Sequence, residues 1–129
     1  MPLVTDSTGN DLTYRIIGLA MEVHNDIGYG FKEEVYEKAL EVKLKHANIE
    51  PNRQHEVFVD YEAERVATFY LDFFAEQQVV VEVKAFSHQL TNDELAQVIN
   101  YLKATGAQVG LLFNFGRRKL EYRRVFPAK

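Results

Sequence analysis

Residues 79–86 read VVVEVKAF. Three consecutive valines mark a buried strand. Glu82 and Lys84 interrupt that apolar run two residues apart, so both project from the same face. A carboxylate or ammonium set into a core is costly unless it is hydrogen-bonded, paired or bound to a metal. Any fold built around this strand must account for the two charges.

The segment just upstream repeats the anomaly. FYLDFFA, residues 69–75, is an aromatic strand with Asp72 in its middle, and aspartate is disfavoured in strands. If Glu76–Gln78 form a three-residue hairpin loop, Asp72 lies directly across from Glu82, and Tyr70 across from Lys84. Two facing carboxylates repel, and one stays protonated unless a cation lies between them. A buried ion pair of Lys84 with one acid explains two of these residues and leaves the second acid unexplained.

Downstream, TNDE at residues 91–94 matches a capping box, with Thr91 as N-cap and Glu94 three residues on. Leu95, Val98, Ile99 and Leu102 form the core stripe of the helix that follows, and Gly106 ends it. Gln97 and Tyr101 stand one turn apart beside that stripe; by themselves they read as core-margin packing with polar tips. QVGLLFNF, residues 108–115, reads as a buried strand, and residues 120–126 as a further strand. The passage from 79 to 115 predicts a right-handed parallel crossover.

Toward the N-terminus, Leu12, Ile16, Leu19, Val23 and Ile27 recur at helical spacing and predict a helix over about residues 11–27. Gly28 and Gly30 break the pattern. A second helix is predicted from about Phe31 to Ala47. Strands follow over 55–61 and 66–75, with a turn at Glu62–Arg65. The order ααβββαβ(β) is an α/β chain of α+β type, with a mixed sheet flanked by helices.

On a helical wheel of the second helix, Glu33 falls between Leu40 and Leu44, ~20° from each. Glu34, Lys38, Glu41 and Lys45 occupy the opposite face. Glu33 is therefore read as the one acid of this helix aimed inward. Attraction to the helix dipole explains an acid in the first turn, but not its direction. His24 lies on the apolar side of the first helix and reads as a satisfied core histidine. His46, His55 and His88 share no metal-ligand spacing.

Composition sets the outer bounds. A chain of 129 residues fits one domain over 1–129. No apolar run approaches a membrane span. MPLVTDSTGN carries neither the basic nor the apolar part of a signal peptide, and cysteine is absent, so a cytoplasmic protein is expected. There is no phosphate-binding glycine loop, dinucleotide fingerprint or thiol nucleophile. The net charge of −4 argues against generic coating of nucleic acid. Yet residues 117–129 sum to +5 and the preceding 116 to −9. That basic segment is either a phosphate footprint or a charged edge strand.

Asp72 followed by Glu82-x-Lys84 and a helix resembles the PD-(D/E)XK nuclease superfamily, whose restriction-endonuclease-like core has the order αβββαβ. GFKEEVY, residues 30–36, is similar to the G-x-x-E-x-x-Y pattern of the GxxExxY family, a branch of that superfamily. The likeness continues through YLDFF, VVVEVKA, QVINYLKATG and VGLLFNFG, from about residue 12 to 116. Two departures stand out. Leu71 rather than proline precedes Asp72, and the usual Gly-Pro-Gly-Leu-Leu lead-in is Gly28-Tyr29-Gly30-Phe31-Lys32.

The resemblance implies a hydrolase of phosphodiester bonds, a nuclease acting on DNA with Mg²⁺ or Mn²⁺. Glu33, Asp72 and Glu82 would be the acidic metal ligands, with the Val83 carbonyl as a further one. Lys84 would be the catalytic lysine. Gln97 and Tyr101 match a Q-x-x-x-Y helix that supports the site or substrate. A homodimer would suit a two-fold substrate such as a Holliday junction. A catalytically silent binding or scaffold protein on the same fold is the competing reading.

Overall fold

The structure is a computed structural model and describes residues 10–128. The reading of MPLVTDSTG and of Lys129 lies outside the described residues. The elements run α1 (Asn10–Ile27), α2 (Glu33–His46), β1 (Arg53–Tyr61), β2 (Glu64–Ala75), β3 (Val79–Lys84), α3 (Asn92–Thr105), β4 (Val109–Asn114) and β5 (Glu121–Val125). The five strands form one sheet in the order β1-β2-β3-β4-β5. β3 and β4 pair in parallel; the other neighbours are antiparallel. This is the mixed sheet flanked by helices that the sequence predicts, with the last strand formed. No helix among the described residues is long and apolar enough to cross a membrane.

Both faces of the central strands are covered, which is why they read as unbroken apolar runs. Val79, Val81 and Val83 pack with Leu111 and Phe113 against α1 and α2. Val80 and Leu112 pack against Val98, Tyr101 and Leu102 of α3. Strand alternation places Glu82 with Val80, on the α3 side. The crossover helix is fixed at both ends. Thr91 and Glu94 form the reciprocal capping box, and Gly106 closes the helix at φ 76°.

α2 starts at Glu33, two residues later than predicted. Gly28 and Gly30 take positive φ values of 79° and 109°, so the chain turns sharply before the helix. The Tyr36 hydroxyl clamps that turn. It donates to the Gly28 carbonyl at 2.7 Å and accepts from the Phe31 amide at 3.2 Å. Its ring stacks on Phe115 with centroids 4.9 Å apart. Lys32 is extended, and helix begins only beyond it.

Glu76 and Gln77 both adopt positive φ, and Ala75 pairs with Val79. The three-residue loop therefore forms as expected, and Asp72 is in register with Glu82. β2 pairs through its backbone with β3 only over Phe73–Ala75, whereas β1 and β2 pair from Arg53/Phe73 to Tyr61/Glu64. The outer part of this hairpin thus projects past the sheet body. Tyr70 consequently does not face Lys84: its hydroxyl donates to Glu56 across β1 and β2 at 3.2 Å.

Candidate functional site

The β2–β3 ladder stops where the two acids meet. Beyond the Phe73–Val81 pair, side chains replace backbone partners. The Asp72 amide donates to Glu82 Oε2 at 2.8 Å, and the Val83 amide donates to Asp72 Oδ2 at 2.7 Å. Each carboxylate thus takes the place of a carbonyl of its own strand. β1 is interrupted at the same level. His55 pairs with Leu71 and Arg53 with Phe73, but Gln54 between them has φ 55°. Leu71 and Phe74 both join the α3-side core, while Phe73 and Ala75 join the other. Strict alternation therefore breaks at Asp72. The irregularity opens the sheet just enough to seat two carboxylates side by side.

Burial and mutual repulsion disfavour charge on both. Glu82 is 3% exposed. Its carboxyl is pushed up to about 8, first by burial and then by the charge on Asp72. Asp72 is pushed up to about 6, again chiefly by burial, with the charges of Glu37 and Glu33 adding and the Val83 amide opposing. Lys84 favours ionisation of both carboxyls. Among the described residues, however, no acid lies within ion-pair distance of Lys84. The two-residue ion pair that would have made this strand ordinary is absent there.

Two helices frame the pair. Glu33, in the first turn of α2, is half-buried; burial raises its carboxyl, and Lys84 pulls it back down. From α3, Tyr101 packs in the same cluster as Val80 and Leu71. Its phenol is raised by burial and by the charges of Glu82 and Asp72, with the neighbouring Gln97 side chain opposing them. Glu33 and Tyr101 thus lie within electrostatic reach of Asp72, Glu82 and Lys84, where β2 and β3 part, and Gln97 is linked to them only through Tyr101.

Glu33 is not the one acid of α2 aimed inward. Glu37 is more deeply buried, at 6% exposure. It accepts from Arg53 Nε at 3.0 Å and from Gln54 Nε2 at 2.6 Å. It sits ~40° from Glu33 on the wheel, at the margin of the apolar arc, so the same construction that found Glu33 contains it. Its pair with Arg53 also explains why β1 begins two residues earlier than predicted. Among the described residues no group of three or more His, Asp or Glu is arranged to hold a metal ion. The close set is thus the Asp72/Glu82 pair beside the Val83 backbone, with Glu33 at a further remove.

Asn114 escaped the sequence reading and organises the loops around it. It is fully buried. Its Oδ1 accepts from the Phe86 and Gly116 amides at 2.8 and 3.1 Å. Its Nδ2 donates to the His88 carbonyl and to Glu121 at 2.9 and 3.2 Å. A lone Asn in the apolar run QVGLLFNF was the available signal.

Asn114 pairs with Lys84 across the parallel strands, so the connection after β4 leaves the sheet beside Lys84. That connection carries Arg117, Arg118 and Lys119. His24 is a core histidine with a satisfied ring: Nε2 shares a hydrogen bond with the Arg117 carbonyl at 2.8 Å, holding the basic connection against α1. Arg118 and Lys119 are exposed. β5 itself is an edge strand with charges along it.

The searches of curated proteins and of solved structures returned no match. A family model for the PD-(D/E)XK nuclease superfamily matches residues 10–125. That span includes every strand of the sheet and both acids of the interrupted ladder. The chain belongs to the PD-(D/E)XK nuclease superfamily.

Proposed function

We propose that this chain is a divalent-metal-dependent nuclease acting on DNA, of the GxxExxY branch, with Asp72, Glu82 and Lys84 at its catalytic centre. The observation that carries this reading is the interrupted ladder. Two carboxylates are built between two inner strands of the sheet at the expense of backbone hydrogen bonds, and no cation of the described residues neutralises them at contact distance. The donor set suits a hard cation such as Mg²⁺ or Mn²⁺: carboxylate oxygens of Asp72 and Glu82 beside the carbonyl of Val83. When bound, such an ion supplies charge neutralisation for a phosphodiester and acidifies a water.

The remaining roles belong to the protein. Lys84, free of a competing carboxylate at contact distance, stabilises negative charge growing on the attacked phosphate. Glu33 tunes the field at Lys84 and completes the acidic rim. Tyr101 and Gln97 are positioning residues that wall Glu82 on the α3 side and exclude water from it. Arg118 and Lys119 lie on the connection beside Lys84 and give the flanking phosphates a basic track across an acidic protein.

The test is cleavage of single-stranded, duplex and branched DNA with Mg²⁺ or Mn²⁺. Lys84→Ala and Glu82→Gln should each abolish turnover while the fold persists. Activity equal to wild type in either variant refutes the assigned roles. Absence of cleavage on every substrate, with melting temperature insensitive to divalent ions, would favour a silent binding protein on the same fold.

A further inference from the structure

A groove of about 750 Å³ runs between the projecting β1–β2 hairpin and α3. Phe58 and Phe69 line its hairpin side; Gln97, Asn100, Tyr101 and Lys103 line its helix side. Both phenylalanines are about four-tenths exposed, at 42% and 41%. Such large rings are normally covered in a finished core. The Phe69 and Tyr101 rings stand 5.8 Å apart and inclined at 56°, so they form an angled wall, not a closed stack. Phe58 is backed by Arg65, whose guanidinium lies 3.6 Å over its ring.

The groove borders the carboxylate site through one shared side chain, Tyr101. Tyr101 lines it and also packs in the cluster that holds Val80 and Leu71, the strand neighbours of Glu82 and Asp72. A ligand in the groove would therefore rest against the same side chain that walls the two acids.

We propose that this groove receives an unstacked nucleobase next to the scissile phosphate, so that the substrate is single-stranded or carries an unpaired nucleotide at the cleavage point. This rests on the nuclease reading above. The lining chemistry selects a base over a phosphate. Lys103 is offset by Asp93, and Asp60 is taken up by Arg65 at 3.1 Å, so the walls carry little net charge. Aromatic faces stack a base of any sequence. Gln97 and Asn100 each offer an amide donor and acceptor suited to a base edge. The volume lies within the range of small-ligand sites, roughly 300–1,000 Å³. A fully paired duplex keeps its bases stacked and has nothing to place there.

The test is equilibrium binding in Ca²⁺ buffer of a short DNA single strand carrying a fluorescent purine analogue, against the blunt duplex of the same sequence. Wild type should bind the single strand more tightly and quench the analogue. Phe69→Ala should weaken single-strand binding roughly tenfold, as loss of one stacked base does, and leave duplex binding nearly unchanged. Ala96→Trp fills the groove from an exposed helical position and should act the same way, which keeps the test decisive if Phe69→Ala folds poorly.

Duplex binding with no single-strand preference, unchanged in both variants, overturns the groove and leaves the nuclease reading standing. No binding to either DNA, together with no cleavage, overturns both. A change of molecular mass on gel filtration in both variants, with DNA binding unaltered, makes the groove a protein interface and overturns it as well.

Discussion

Consider metal-free protein titrated upward from mild acid. The carboxyl of Glu82 sits at about 8 in the fold against an ordinary 4.5, so the native state keeps a proton that the unfolded chain has already released. Stability then falls with rising pH, because the slope follows the protons bound unfolded minus those bound folded. The contribution is neutral below the ordinary carboxyl range, declines through the window up to about 8, and levels off above it. Asp72, at about 6, acts in the lower part of the same window, and the two titrate as a pair.

Above about pH 6, then, Glu82 dominates. One proton per molecule corresponds to about 1.4 kcal/mol per pH unit. Between about pH 6 and pH 8 the loss is roughly 2 kcal/mol, a large share of a typical 5–15 kcal/mol. Urea denaturation in a chelator at constant ionic strength measures it directly. Glu82→Gln cannot ionise, yet its amide oxygen can still accept from the Asp72 amide. The variant should therefore show a flat profile over this window and exceed wild type in stability at its upper end. Mg²⁺ should restore wild type at high pH by binding the folded state and leave Glu82→Gln nearly unaffected. A wild-type midpoint that does not move over the window, or a variant that declines in parallel, refutes the account of the carboxylate pair.

Three further outcomes follow from contacts around the site. Tyr36→Phe removes the hydroxyl that bridges the Gly28 carbonyl and the Phe31 amide while keeping the stack on Phe115; it should cost about 1–2 kcal/mol in urea denaturation and lower nuclease activity, since the clamped turn leads into Glu33. Asn114→Ala strips partners from two amides and one carbonyl in the loops behind Lys84, so a loss of about 3 kcal/mol is expected by the same measurement. Gly116→Ala would press a Cβ against the Phe86 carbonyl oxygen and within 2.5 Å of the Ala85 carbonyl carbon; backbone must shift, and a fall of at least about 1–3 kcal/mol is expected in thermal or urea melts.

How far the sequence could be read varies by the range of the forces involved. The charges of VVVEVKAF were legible because strand alternation is local: Glu82 and Lys84 share a face whatever surrounds them. Asp72 opposite Glu82 was legible because one loop of three residues fixes the register between them. Tyr70 opposite Lys84 was not, although it rests on the same register. The ladder ends at Phe73 and Val81, because the acids themselves compete for the amides that would extend it. Glu37 was missed for a different reason: the wheel put it at the margin of the apolar arc, and the partners that bury it, Arg53 and Gln54, lie on another element. Asn114 depends on three loop positions and on Glu121 of β5, up to 28 residues away from it, and periodicity carries no information about such closures.

The broken ladder also links the fold to the proposed chemistry more tightly than a grafted site would. Asp72 and Glu82 are structural acceptors for Val83 and for Asp72 itself, and in the proposed reading they are also the groups offered to a cation. Alanine at either position would remove a ligand and orphan a strand amide together. Activity loss in such a variant would then mix missing chemistry with a loosened sheet. Amide substitutions separate the two, since Asn and Gln keep an oxygen for the backbone donor and lose only the charge. If Glu82→Gln matches or exceeds wild type in stability and loses cleavage, the cost of placing two acids in neighbouring core strands is explained by what they do to a phosphodiester. If it gains stability and keeps cleavage, the carboxylates are a structural liability tolerated for some other reason, and the catalytic assignment fails.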